Sequence, residues 1–288
     1  MDSNLSDLSA DRRMDADVFG NMEIRTELPL LTFPALTASG LVKHGFTTRM
    51  GGVSEGIFST LNLSFSRGDR EDAVRENFRR VAQALGVSED SFVFTDQTHT
   101  VNVLRVTGAD AGKGFVRERG WSDIDGLITD EPNLTLSAFF ADCVPLYFVD
   151  PVHRAIGLSH SGWRGTVNRM GRVTIEAMRE EFGTDPAELI CAVGPCICGS
   201  CYEIGPEVAE QFAAGFGSRQ EDILKDDRNG KFHLDLKKAN RMILEEAGVK
   251  PENITDSGVC TCCHPDLLFS HRASKGRRGN LGAFLALV

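Results

Sequence analysis

The chain has 288 residues, 41% of them hydrophobic and 25% charged, with a formal net charge of -10. This is enough apolar side chain to bury a core without a disulfide or a metal, and the acidic balance excludes the basic face that a nucleic-acid binder needs. No apolar run approaches the ~18 residues of a membrane span, so a membrane partner is excluded as well.

Residues 1–27 read as a leader. Its stretch from Met1 to Asn21 mixes Asp, Ser and Arg with few large apolar side chains, and it lacks the apolar centre of a secretory signal. A cytoplasmic protein is therefore expected. Its eight cysteines are then thiols or metal ligands rather than disulfides. Residues 28–288 contain no composition break and read as one domain.

The segment 41–48 predicts a strand running into the turn Met50-Gly51-Gly52. Val74, Phe78, Val81 and Leu85 recur at helical spacing and predict a helix over 69–85, with Asp69 as its cap and Gly86 as its stop. Strands are predicted over 91–95 and 101–106, joined by a connection that carries Asp96-Gln97-Thr98-His99. Residues 107–121, with four glycines, read as a mobile loop. Strand signal is densest over 126–129, 134–140, 144–149 and 155–159. A helix over 166–182 follows, then a strand over 189–193, helices over 205–216 and 236–248, and a last strand over 281–288. Short strands with intervening helices predict a single α/β (α+β) domain with a mixed central sheet and flanking helices.

Three side chains stand out by position. His99 lies between two predicted strands, Cys143 in the break between two very apolar ones, and His160 just after another. Strand ends deliver side chains to one rim, where ligand sites are favoured. Two imidazoles and a thiolate suit Zn²⁺, and three protein ligands leave one position open. The same atoms also fit a metal-free alternative, with Cys143 as nucleophile and His160 as its base. Spacing alone does not separate the two.

At this point the residues resemble a known family. The motifs that carry the resemblance are His44-Gly45-Phe46-Thr47-Thr48-Arg49-Met50-Gly51-Gly52, Leu61-Asn62-Leu63, Gln97-Thr98-His99, Ala141-Asp142-Cys143-Val144-Pro145 and His160-Ser161-Gly162-Trp163-Arg164-Gly165-Thr166. Later blocks are Gly194-Pro195, Cys201-Tyr202-Glu203, Leu234-Asp235-Leu236 and Phe269-Ser270-His271-Arg272. In order, they look like the YfiH-like family, also called the multicopper polyphenol oxidase (laccase-like) or purine nucleoside phosphorylase family. The resemblance implies a YfiH-like, cysteine-hydrolase-like fold and zinc on His99, Cys143 and His160. It also implies cleavage of adenosine, inosine, guanosine and methylthioadenosine by phosphate, with adenosine deamination as a further activity. The expected partners are thus a small nucleoside and phosphate. An older description of the family implies a copper-dependent phenol oxidase instead.

Phosphorolysis needs an anion site and contacts to ribose. With the resemblance in hand, Arg49 and Arg164, in glycine-flanked turns, are expected to grip phosphate. His44 and Asn62 are expected as polar partners of ribose or phosphate. Deamination needs a proton-shuttling carboxylate, for which Asp142 and Asp125 are the candidates. Seven histidines are few for a multicopper relay. The spacings in Cys196-x-Cys198-x-x-Cys201 and Cys260-x-Cys262-Cys263-His264 are not read as the paired Cys-x-x-Cys of a zinc ribbon. Reduced thiols are expected there, with a second metal as the alternative.

Overall fold

The computed structural model describes residues 22–25 and 28–288. The expected leader lies outside the described residues, apart from 22–25, where a short strand forms and Met22 is buried.

Two six-stranded sheets replace the single central sheet expected. The first runs in the order β1 (Glu23–Arg25), β2 (Leu30–Thr32), β3 (Val42–Thr47), β15 (Leu281–Leu287), β7 (Thr135–Phe140) and β4 (Phe92–Phe94). The second runs β14 (Ile254–Asp256), β10 (Ile190–Val193), β8 (Val144–Asp150), β9 (Ala155–Ser161), β6 (Gly126–Thr129) and β5 (Val103–Arg105). Both mix parallel and antiparallel pairs. A small third sheet joins β11 (Glu203–Ile204), β13 (Phe232–Leu234) and β12 (Leu224–Asp226).

The continuous apolar run of β8 explains the layering. Successive strand residues face opposite sides. Tyr147 and Val149 enter the core shared with Leu136, Ala138 and Phe140 of β7, while Leu146 and Phe148 enter a second core. The two large sheets therefore pack face to face, and each has a helical layer outside. Seven helices are described: α1 (Pro34–Ala38), α2 (Glu71–Leu85), α3 (Trp163–Val167), α4 (Met170–Phe182), α5 (Pro206–Phe216), α6 (Leu236–Glu246) and α7 (His271–Ser274). α2 covers the first sheet through Val74, Phe78, Val81 and Leu85, the apolar stripe predicted for it. α4, α5 and α6 cover the second.

Local departures have identifiable causes. α2 starts two residues late, because Asp69 accepts from Arg70 N–H and Asn62 Nδ2 instead of capping the helix. The helix expected over 166–182 is two, broken where Arg169 takes a φ of 64°. The segment 107–121 is pinned by Phe115, buried against Phe78 and Phe94. β4 and β5, consecutive in the chain, belong to different sheets, so the connection carrying His99 crosses from one sheet to the other. That crossing places the site. No helix of the described residues is long and apolar enough to cross a membrane.

Candidate metal centre and its cavity

His99, Cys143 and His160 converge: their ligand atoms all lie within 4.8 Å of one another. Three features of the chain bring this about. The register of β8 on β9 pairs Val144 with Ser161, so Cys143 and Gly162 face each other across the strand pair's end. Gly162 has to be glycine, since a Cβ there would stand 2.9 Å from the His99 ring and 3.1 Å from Cys143 Sγ. His99 takes a φ of 67°, a left-handed conformation that a β-carbon makes costly.

Asp125 stabilises that conformation. Its buried carboxylate accepts the backbone N–H of Thr98, His99 and Thr100 at 3.2, 3.2 and 2.8 Å, and the Thr100 hydroxyl at 2.9 Å. The same carboxylate lies 2.7 Å from His160 Nδ1. Holding Nδ1 orients the ring and leaves Nε2 directed at Cys143 and His99, as carboxylates behind metal-bound histidines do. A tetrahedral ion with bonds of about 2.0–2.3 Å needs ligand atoms about 3.3–3.8 Å apart. Cys143 Sγ lies 3.9 Å from His99 Nε2. The donor set fits a three-ligand zinc site with one open position.

Charge reinforces the geometry. Burial alone would raise the Cys143 thiol, but the His160 charge and hydrogen bonds from His160 and His99 bring it down to about 6. Burial alone would lower His160, but the Cys143 charge and the hydrogen bond to Asp125 bring it up to about 9. Both shifts favour the charged forms, thiolate on Cys143 and imidazolium on His160.

His99, Cys143 and His160 all line a cavity of about 550 Å³. Phe94, Phe139 and Phe140 give it an aromatic wall, and Arg67 and Arg278 also line it. Arg278 is 9% exposed, and its Nε is buried without a hydrogen-bond partner. Burial, and then repulsion from Arg67, bring the Arg278 guanidinium down to about 10. Arg67 and Arg278 thus bring two positive charges to the same cavity. Reading the sequence missed both arginines, as it missed the orienting part of Asp125. Nothing in Lys275-Gly276-Arg277-Arg278 distinguishes Arg278 from its neighbours; only burial does.

The other expected site residues lie elsewhere. Arg49 donates to the carbonyls of Ser59 and Pro265 and covers the Phe269 ring, outside the cavity lining. Arg164 stacks on Trp163 and is also outside that lining. His44 is buried and accepts from Phe33 N–H. Asn62 is buried beside the cavity, where it accepts from Asn280 N–H and donates to Ser64 O and Asp69. Both oxygens of Asp142 are engaged, by the Thr261 hydroxyl and Arg272 N–H, each at 2.7 Å.

Comparison with known proteins places this arrangement. Residues 43–288 match the family described as multi-copper polyphenol oxidoreductase laccase. The chain belongs to that family. It is 41% identical to "Purine nucleoside phosphorylase" of Deinococcus radiodurans, covering 90% of this chain and 93% of that one. It is 37% identical to "Purine nucleoside phosphorylase YlmD" of Bacillus subtilis, covering 84% and 87%. Among solved structures, the Bacillus licheniformis hypothetical protein YfiH superposes with a TM-score of 0.89 at 33% identity, covering 94% of this chain and all of that one. The family fold is thus a mixed α+β domain of several sheets.

Proposed function

We propose that the protein is a zinc-dependent purine nucleoside phosphorylase, converting a nucleoside and phosphate to free base and ribose 1-phosphate. The observation that carries this reading is the convergence of His99, Cys143 and His160 beside the paired cations Arg67 and Arg278 in one cavity. The names of the relatives point the same way.

In phosphorolysis a phosphate oxygen forms a bond to ribose C1′, while the bond from C1′ to the purine nitrogen breaks and its electron pair leaves with the base. Arg67 and Arg278, both in the cavity lining, hold the phosphate and offset its charge. Phe94, Phe139 and Phe140 offer the base an apolar, aromatic wall. Zinc on the three ligands would supply a Lewis acid for a substrate oxygen or nitrogen. Asp125 keeps His160 in the tautomer that leaves Nε2 free. Asp142 holds the Cys143 turn in place, and with both oxygens occupied it is a poor proton shuttle. For that reason we do not extend the reading to adenosine deamination. A multicopper relay is disfavoured on similar grounds: of the seven histidines, only His99 and His160 meet in one candidate cluster among the described residues.

One observation favours a second reading. Cys143, His160 and Asp125 follow the order of a thiol nucleophile, its base and an orienting carboxylate. Inosine incubated with and without phosphate separates the two. Hypoxanthine that appears only with phosphate, and is lost on chelation, supports the phosphorylase; full activity in zinc-free protein refutes it. Arg278→Gln is expected to raise the KM for phosphate by about tenfold, with a smaller effect on kcat.

A further inference from the structure

Beyond the cavity, the two cysteine-rich runs meet in space. Contrary to the reading of their spacing above, each contains a Cys-x-x-Cys, at 198/201 and at 260/263, which Cys196 just before the first and Cys262 inside the second obscure. The four sulfurs of Cys198, Cys201, Cys260 and Cys263 all lie within 4.8 Å of one another. We propose that these four thiols form a second zinc site, separate from His99, Cys143 and His160 and structural in character.

The spacing suits one ion. Zinc–sulfur bonds of about 2.3 Å in a tetrahedron require sulfurs about 3.8 Å apart. Cys263 Sγ lies 3.9 Å from Cys198 Sγ and 3.5 Å from Cys201 Sγ. The backbone supplies what thiolate ligands need: Cys260 Sγ accepts the N–H groups of Cys198 and Cys263 at 3.2 and 3.4 Å, and such bonds stabilise negative sulfur. Each Cys-x-x-Cys forms a turn that presents two sulfurs, and in the first the N–H groups of Cys201 and Tyr202 both donate to Cys198 O. The two turns are joined by a bridge pairing Cys196 with Cys260. All eight cysteines are free thiols. Four convergent sulfurs satisfy one tetrahedral ion completely, whereas a disulfide would use two and leave two. With four protein ligands no position remains for water or substrate, the mark of a structural zinc. Binding would release the thiol protons to solvent.

This site has a mechanical link to the cavity. Thr261, next to Cys260, donates its hydroxyl to Asp142, and Ile197, next to Cys198, donates its N–H to the Asp142 carbonyl at 3.0 Å. Asp142 precedes Cys143. Zinc on the four thiols would clamp the two segments that hold the Cys143 turn.

Metal counting on three chains tests this without relying on activity. Protein from zinc-supplemented cells is expected to carry about two zinc ions per chain, and Cys143→Ser, which leaves the four thiols intact, about one. Cobalt(II) in place of zinc in Cys143→Ser should give the intense sulfur-to-metal absorption of a four-thiolate site, and Cys198→Ser/Cys263→Ser should lose it. One ion in the wild type with none in Cys143→Ser overturns the second site and leaves the first standing. One ion in both supports the second site and removes the first. Iron instead of zinc in Cys143→Ser, or a Cys201–Cys263 disulfide found by non-reducing peptide mapping, also overturns the assignment.

Discussion

The two thiol-bearing clusters stand on either side of Asp142 and use the same reactive atom in opposite ways. At the cavity, Cys143 shares its place with two imidazoles, one of them braced by Asp125, and the trio faces open space. At the other cluster, four sulfurs converge on one another, and backbone N–H groups brace Cys260. Ligand number and the identity of the bracing group, rather than cysteine itself, separate a reactive centre from a fastening.

The comparison predicts a graded series of effects. Cys143→Ala or His160→Ala should remove the cavity zinc and nucleoside cleavage together, which metal analysis and hypoxanthine release would measure; cleavage that survives zinc loss would break the contrast. Asp125→Asn keeps the shape but weakens the brace on His160 and on the His99 backbone. Zinc affinity or kcat/KM should fall about ten- to a hundredfold, while the four-thiol cluster keeps its metal.

In metal-stripped protein the Cys143 thiolate should persist down to a pH of about 6, against about 8.5 for an unperturbed thiol. Because the folded value is depressed, the thiolate is lost as pH falls through it. The rate of iodoacetamide labelling at Cys143 should therefore drop by half near pH 6, and zinc should protect the residue. A midpoint near that of a free thiol would sever Cys143 from His160. The smallest effect is expected from Thr261→Val, which removes one charge-assisted hydrogen bond to Asp142 worth about 2 kcal/mol. Denaturant unfolding would register the loss, with zinc stoichiometry unchanged.

The sequence carried the cavity trio openly, because His99, Cys143 and His160 are residue types that metals select and lie in or beside turns between apolar strands. It offered Asp125 only as a candidate proton carrier and not as a brace, since Asp123-Ile124-Asp125-Gly126 reads as an ordinary acidic turn until His160 and three backbone N–H groups are seen around it. Glycine-flanked Arg49 looked like a phosphate grip, but carbonyls of distant segments take its donors. Such partners are invisible to local pattern. The same limit explains the second sheet: alternation identifies a strand and its buried faces, but not which strand it pairs with, so one central sheet was expected where two form. For the four thiols the spacing was present; two extra cysteines blurred it, and only proximity restored it.

The position of β15 has a consequence for biogenesis. It lies between β3 and β7, pairing Phe284 with Gly45 on one side and Ser137 on the other. Partners so distant in sequence make for slow, high-contact-order folding. Until residues 281–287 leave the ribosome, β3 and β7 present two unpaired apolar edges to each other and to any passing chain, a state that invites aggregation. The nascent protein should therefore depend on holding chaperones until that closing strand slots in.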